Sequence, residues 1–164
     1  SVVEVMGRSA GYIALWCGIA NGAEEILLPE RFDNDYDKLI EEIKKNREAG
    51  MTHQVVINAE GVGHSYELAQ RIEEATGVET RATILGHMQR GGSPTARDRV
   101  YASVMGSYAV DIIDQGKKNR LVGYKDGHVY DIDIEEAFKL KKSIDDYEYQ
   151  VASILGTRCD YKNI

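Results

Sequence analysis

The 164-residue sequence predicts an α/β fold built on a parallel sheet. Short β-branched and apolar segments alternate along the chain with segments whose apolar residues recur at helical spacing. The helix-like segments are long enough to serve as crossover connections between parallel strands. Most of them end at a glycine, the residue that most readily adopts the left-handed conformation of a helix C-terminus. In such a fold, ligands are expected at the carboxyl ends of the strands.

The first ninety residues contain four strand-like segments separated by three helix-like ones. Apolar, β-branched composition predicts strands at residues 2–5, 25–28, 53–59 and 80–85. Helical spacing predicts helices at residues 9–20 and 65–75, and another between Asn34 and Gly50. Asn34 and Ser65 are expected to cap helices, because their side chains can accept a hydrogen bond from a first-turn amide. Gly22 and Gly77 are expected to end the other two helices.

The rest of the chain begins with a polar, glycine-rich loop at residues 86–94. A long helix is predicted at residues 95–115 and ends before Gly116. Residues 121–124 and 128–130 are expected to form a hairpin, because Asp126-Gly127 is a typical two-residue turn. The tail is expected to contain a short helix after residue 131 and a last helix near residues 145–155.

The overall charge excludes several classes of partner. The 20 Lys and Arg residues against 27 Asp and Glu residues give a net charge of −7. This balance argues against nucleic-acid binding through a basic surface and against anchoring to an anionic membrane. No apolar run approaches the about 20 residues of a membrane span. Two cysteines, Cys17 and Cys159, are too few for a disulfide framework, so we expect a cytoplasmic protein.

The chain begins at Ser1 within a strand-like segment, without an initiator Met and without the features of a signal peptide. We therefore expect it to be part of a longer protein.

Positive charge is concentrated in one stretch. Residues 81–99 contain four arginines and a single acid, Asp98, so this stretch carries +3 and the remainder −10. Arginine matches phosphate oxygens in geometry, and the glycines of the loop allow backbone amides to approach an anion. A small phosphate ester suits this pattern better than a long polyanion, which the acidic remainder would repel. The alternative is that these arginines pair with neighbouring acids on a solvated surface.

Two further strand ends carry candidate binding groups. At Met6-Gly7-Arg8 a strand turns into a helix, whose first amides are expected to face an anion. In the segment of residues 58–63, the Glu60 carboxylate follows an apolar strand and can accept hydrogen bonds from sugar hydroxyls. A surface glutamate before a loop is the alternative interpretation. Together with the His87/Arg90 loop, these strand ends predict a phosphosugar site.

These residues resemble those of the bacterial-type ATP-dependent 6-phosphofructokinases, specifically the C-terminal, fructose 6-phosphate-binding half. The resemblance rests on Met6-Gly7-Arg8, on Ala59-Glu60-Gly61 and on the run of residues 79–94, which continues to Asp98-Arg99 at the family's spacing. It implies a parallel-sheet, three-layer lobe of the phosphofructokinase fold. It also implies transfer of the γ-phosphoryl group of ATP, with Mg²⁺, to the 1-hydroxyl of fructose 6-phosphate in glycolysis.

The resemblance also implies individual roles. Arg8 is the catalytic residue, because it would neutralise charge on the transferring phosphoryl group. Glu60 would bind sugar hydroxyls, and Arg81 would reach the 6-phosphate of a neighbouring subunit. A complete site would then exist only in an oligomer, a tetramer in this family. The implied substrate-binding residues are Met6, Gly7, Arg8, Glu60, Arg81, His87, Met88, Gln89 and Arg90.

An effector site for ADP or phosphoenolpyruvate is implied as well, with Glu24 as a candidate ligand of the effector's Mg²⁺ and no metal ligand for catalysis. Many members carry basic residues where this chain has Ala49 and Met51, so we expect a weak response to phosphoenolpyruvate. The implied effector-binding residues are Gly22, Ala23, Glu24, Met51, Thr52 and His53.

The resemblance divides the chain into three parts. Residues 1–90 correspond to the sugar-phosphate and effector lobe, residues 91–142 to a segment that packs on the nucleotide lobe, and residues 143–164 to a helix that returns to the sugar lobe. The family's nucleotide loops and general base have no counterpart here, so the chain alone is expected to bind sugar phosphate at most and to be inactive. The alternatives are a non-catalytic phosphosugar- or nucleotide-binding regulatory module, half of a pyrophosphate-dependent phosphofructokinase, and a purely structural α/β domain.

Overall fold

The computed structural model describes residues 1–140 and 143–156, so Cys159 lies outside the described residues. The described residues form two compact units. The first comprises Ser1–Arg90 and the described residues from Ser143 to Gly156, and the second begins at Gly91 and occupies the stretch between. No helix in the described ranges is both long and apolar enough to cross a lipid bilayer.

Six helices and six strands make up the described chain. In chain order they are β1 (Val2–Val5), α1 (Tyr12–Asn21), β2 (Glu25–Leu27), α2 (Tyr36–Glu48), β3 (Val56–Ala59), α3 (Ser65–Thr76), β4 (Ala82–Ile84), α4 (Ala96–Asp114), β5 (Arg120–Lys125), β6 (His128–Asp133), α5 (Ile134–Lys139) and α6 (Asp146–Gly156). A turn of 3-10 helix, Gly86–Gln89, follows β4.

The first unit is a three-layer α/β sandwich around a four-stranded parallel sheet in the order β2-β3-β1-β4. Because side chains alternate along a strand, the sheet has two apolar faces. Val2 and Val56 pack with buried residues of α2 and α3 on one face. Val5 and Ile57 pack with buried residues of α1 and α6 on the other. The predicted α/β class and parallel sheet are confirmed.

The predicted helix starts need three corrections. α1 begins at Tyr12 rather than residue 9, because Arg8 has a φ of 54° and the chain is still turning there. Asp35, not Asn34, caps α2, and its carboxylate accepts a hydrogen bond from the Lys38 amide at 3.0 Å. Asn34 adopts a left-handed φ of 65°, which asparagine tolerates, and so leaves the cap to its neighbour.

Ser65 does not cap α3 either. The cap position is His64, which has a φ of 56° and makes no side-chain cap hydrogen bond. The Ser65 hydroxyl instead donates to the Glu4 carboxylate of β1 at 2.5 Å, an acceptor that lies 61 residues away in sequence.

The second unit contains α4, the β5–β6 hairpin and α5. Thr95 and Asp98 form a reciprocal capping box at the start of α4, near the predicted helix start. The predicted hairpin is confirmed, and Asp126 and Gly127 both have positive φ, 52° and 84°. Tyr108, Lys117 and Arg120 all donate to the Asp131 carboxylate, and the hydrogen bonds from Tyr108 and Arg120 hold the Asp131 pKa at about 2.

Candidate functional site at the carboxyl edge of the sheet

The loops that follow β1, β3 and β4 leave from one edge of the parallel sheet. Two backbone hydrogen bonds continue the sheet beyond its last strand residues. The Glu60 amide donates to the Val5 carbonyl at 3.0 Å, and the Leu85 amide donates to the Glu4 carbonyl at 3.1 Å. The three loops therefore begin side by side, as predicted for the carboxyl ends of parallel strands.

The Glu60 carboxylate is hydrogen-bonded to the first loop. Its Oε1 accepts a hydrogen bond from the Arg8 amide. The next residue, Gly61, lies so close to Arg8 that a Cβ there would be 2.4 Å from the Arg8 carbonyl oxygen. The loops after β1 and β3 are thus held together by the Glu60 side chain and by the close approach of Gly61 to the Arg8 backbone. The exposed Arg8 guanidinium makes no hydrogen bond or ion pair with another described residue, so it is available for an anion.

The loop after β4 is joined to the same edge by Gln89. The Met6 amide donates to Gln89 Oε1 at 2.7 Å, which ties the 3-10 turn to the end of β1. His87, Met88 and Arg90 lie on or directly after this turn with exposed side chains, and Met88 is 86% exposed. The structure therefore brings eight of the nine implied substrate-binding residues to one edge.

Glu30, which sequence reasoning missed, occupies the N-terminus of α1. The Gly11 amide donates to both of its carboxylate oxygens, at 2.9 and 3.1 Å. At the Gly11 amide the expectation of a bound anion is therefore corrected, because the anion there is the protein's own carboxylate. The sequence did contain a signal, since Pro29-Glu30 directly follows the β2 segment and β2 ends at this edge.

Arg81 lies at the opposite, amino edge of the sheet. Its carbonyl accepts a hydrogen bond from the Val2 amide at 2.9 Å, and its guanidinium pairs with the Glu79 carboxylate at 2.6 Å. Arg97 belongs to the second unit, where its guanidinium carbon lies 5.1 Å from the Tyr101 ring centroid. Arg81 therefore does not share the carboxyl-edge loop with Arg90, and the expectation of one arginine cluster is wrong for Arg81.

The implied effector residues lie at the amino edge as well. Gly22, Ala23 and Glu24 precede β2, and Glu24 Oε2 accepts a hydrogen bond from the Val55 amide at 2.6 Å. Ahead of β3, a cavity of about 550 Å³ opens at this edge. Its lining includes Met51, Thr52 and His53 together with Arg47 and Glu79.

The described residues contain no preformed cluster of metal ligands. No group of three His, Cys, Asp or Glu side chains in residues 1–140 and 143–156 converges as a metal site requires. Glu24 in particular has one carboxylate oxygen engaged by the backbone.

The fold and its carboxyl-edge loops define a three-layer α/β protein of the class that gathers ligand-binding groups at the ends of parallel strands. The family model described as "Phosphofructokinase" matches residues 1–113. This chain belongs to the phosphofructokinase family.

Relatives and solved structures agree with this assignment. The chain is 51% identical over 156 residues to "ATP-dependent 6-phosphofructokinase 1" of Clostridium perfringens, covering 95% of this chain and 49% of the relative. It is 52% identical over 156 residues to "ATP-dependent 6-phosphofructokinase" of Clostridium botulinum, with the same coverage. It thus spans about half the length of the curated relatives it matches.

Among solved structures, the chain matches the crystal structure of Pichia pastoris phosphofructokinase in the T-state. The TM-score is 0.75 at 29% identity, over 94% of this chain and 18% of that one. The structure of phosphofructokinase from Saccharomyces cerevisiae matches with the same score and identity, over 94% of this chain and 21% of that one.

Proposed function

We propose that this chain is the C-terminal, sugar-phosphate-binding half of an ATP-dependent 6-phosphofructokinase. The whole enzyme transfers the γ-phosphoryl group of ATP to the 1-hydroxyl of fructose 6-phosphate, a step of glycolysis in the cytoplasm. The observation that carries the proposal is the arrangement at the carboxyl edge, where the Glu60 carboxylate holds the Arg8 backbone while the Arg8 guanidinium stays free. The names of the relatives support ATP rather than pyrophosphate as the donor.

Acidic and basic residues at the carboxyl edge would bind different parts of the substrate. Glu60 has one carboxylate oxygen on the Arg8 amide, and the other is available to accept from a sugar hydroxyl. His87 and Arg90, exposed on the neighbouring loop, would contact the sugar phosphate. Arg8 would neutralise charge on the transferring phosphoryl group, which is the main assistance a protein gives to a loose phosphoryl-transfer transition state.

The remaining side chains at this edge would shape the sugar pocket. Gln89 uses its Oε1 for the Met6 amide and keeps its amide group for a ligand. Met6, Gly7 and Met88 would form the walls around the sugar. Gly7 is required there, because a Cβ on it would lie 2.3 Å from the Ala10 carbonyl oxygen.

Arg81 would act in a second subunit. Its position at the amino edge of the sheet, the opposite edge from Glu60 and Arg90, supports a role outside the site of its own subunit. The enzyme would therefore be an oligomer, a tetramer as in the family. The amino edge would also contain the effector site, in which Gly22–Glu24 and Met51–His53 meet ADP or phosphoenolpyruvate.

The segment of residues 91–142 would pack on the nucleotide lobe. The C-terminal segment of residues 143–164, of which residues 157–164 lie outside the described residues, would return to the sugar lobe. The Mg²⁺ that accompanies ATP would be bound mainly by the N-terminal half of the enzyme.

A calorimetric titration tests the proposal. Fructose 6-phosphate added to the chain should give heat of binding, and Arg90→Ala should weaken the affinity about tenfold by removing one charge-assisted contact. Arg71→Ala is the matched control, because Arg71 is an exposed arginine of α3 that pairs with Asp37 of α2. Equal affinity of the wild type and Arg90→Ala, or absence of heat at every chain concentration, contradicts the proposal.

A further inference from the structure

A chain of hydrogen bonds lies beneath the loop that carries Glu60. Asn58 is fully buried, and its Nδ2 donates both to the Ser65 hydroxyl and to the Gly63 carbonyl, each at 2.8 Å. The Ser65 hydroxyl, 2% exposed, in turn donates to Glu4 Oε2 at 2.5 Å. Three side chains from β1, β3 and α3 are thus linked at the end of the strands.

The direction of these hydrogen bonds follows from their end points. The Gly63 carbonyl can only accept, and Glu4 Oε2 accepts from the Ser65 hydroxyl. The Ser65 hydroxyl therefore donates to Glu4 and accepts from Asn58, which must turn its NH₂ group toward both partners. This orientation leaves Asn58 Oδ1 buried without a hydrogen-bond partner among the described residues.

An unpaired buried oxygen lowers stability, and an apolar side chain of similar size would not have one. Packing of the core alone therefore does not account for an asparagine at this position. The two donated hydrogen bonds account for it, because they fix neighbouring backbone and side-chain groups in one geometry.

Asn58 holds the far end of the loop between β3 and α3. Gly63 and His64 both have left-handed φ values, 73° and 56°, so this end of the loop is conformationally demanding. Its near end is held by the hydrogen bond from the Glu60 amide to the Val5 carbonyl. Because both ends of this loop are attached, the Glu60 carboxylate that it carries remains directed at the Arg8 amide.

We propose that Asn58, with Ser65 and Glu4 behind it, is a positioning residue that fixes the Glu60 carboxylate on the Arg8 backbone. Asn58 itself touches no ligand. The positioning role itself does not depend on the proposed function. Its consequence, that Asn58 controls the affinity for sugar hydroxyls through Glu60, rests on the proposed function.

Amide hydrogen exchange measures this positioning without any ligand. The Arg8 amide reports on the hydrogen bond to Glu60, and the Met6 amide, which donates to Gln89, serves as an internal reference at the same edge. In Asn58→Leu, the exchange of the Arg8 amide relative to Met6 should rise about tenfold, the equivalent of one such hydrogen bond. Ser65→Ala should raise the same ratio by about threefold and is the deciding variant if Asn58→Leu does not fold.

Ile72→Val is the matched control, because Ile72 is a buried residue of α3 on the same face of the sheet. It lowers stability without touching the loop, so the ratio should stay at the wild-type value. An unchanged ratio in folded Asn58→Leu or Ser65→Ala overturns the proposal, as does an equal rise in Ile72→Val.

A ligand titration separates this proposal from the proposed function. Asn58→Leu should bind fructose 6-phosphate about tenfold more weakly but inorganic phosphate as well as the wild type does, because phosphate has no carbon-bound hydroxyls for Glu60. An equal loss for both ligands contradicts a role through Glu60. A wild-type chain that binds neither, yet shows the change in exchange ratio, refutes the proposed function and leaves the positioning role supported.

Discussion

Both carboxylate oxygens of Glu30 accept a hydrogen bond from the Gly11 amide, at the first turn of α1. Gly11 itself is confined, because a Cβ there would lie 2.7 Å from Glu30 Oε2. The positive end of the α1 dipole is therefore neutralised from within the chain. An anionic ligand at this edge would depend on arginine side chains rather than on the helix terminus.

Replacing Glu30 by alanine should destabilise the first unit by about 1–2 kcal/mol, since it removes a charge-assisted hydrogen bond and a favourable helix-dipole interaction. It should also open the α1 terminus to anions and increase the affinity for inorganic phosphate. Urea unfolding and a phosphate titration measure the two effects. Glu48→Ala, at the exposed end of α2, is the control and should change neither. Unaltered stability in Glu30→Ala would show that the Gly11 contact is energetically neutral.

Gly61→Ala should damage the carboxyl edge for a purely steric reason. The added Cβ would lie 2.4 Å from the Arg8 carbonyl oxygen, so backbone must move on one side or the other. We expect a loss of about 1–3 kcal/mol in unfolding free energy and weaker binding of fructose 6-phosphate. The measurements are thermal unfolding and calorimetry.

Gly106→Ala provides the control for this substitution. Gly106 lies within α4, and a Cβ there would meet nothing within 4 Å, so alanine should be neutral or slightly stabilising. A Gly61→Ala chain as stable as the wild type would mean that the two loops are not in close contact in solution.

The order of elements could be predicted from sequence because each segment carries its own periodicity. The residues that cap the helices were harder to predict than the order of the elements. Asn34 and Asp35 are adjacent residues of capping type, and the backbone conformation of Asn34 decides between them. Ser65 has a side chain of capping type, but its hydroxyl donates a hydrogen bond to Glu4, and nothing near Ser65 in the sequence indicates that partner.

The candidate site was predictable to a similar extent. Strand-end motifs placed Arg8, Glu60 and Gln89 at one edge, since parallel strands end together. The prediction of an arginine cluster was wrong for Arg81, because Arg81 directly precedes β4 whereas Arg90 follows the 3-10 turn after it. A strand advances about 3.3 Å per residue, so residues close in sequence can reach opposite edges of a sheet.

The 164-residue chain alone should not phosphorylate fructose 6-phosphate at the expense of ATP. Its sequence contains no counterpart of the family's nucleotide loops or general base. A coupled assay for ADP release, with a full-length relative as the positive control, checks this. ATP-dependent formation of sugar bisphosphate by the purified chain would contradict the expectation.

The pH dependence of stability should reveal Glu25, a carboxyl group in β2. Burial, together with the nearby Glu42 and Glu24 carboxylates, raises the pKa of Glu25 from 4.5 to about 7, and Lys38 opposes the shift. The folded state thus keeps a proton that the unfolded state has already lost. The stabilisation that comes from this bound proton is fully present below pH 4.5 and is lost as the pH rises through about 7.

Relative to that of the wild type, the free energy of unfolding of Glu25→Gln should rise by roughly 2–3 kcal/mol between pH 4.5 and pH 8. Urea unfolding at stepped pH measures the difference, and Glu48→Gln, exposed on α2, should follow the wild-type profile. Parallel profiles for the wild type and Glu25→Gln would show that Glu25 ionises freely in the folded protein.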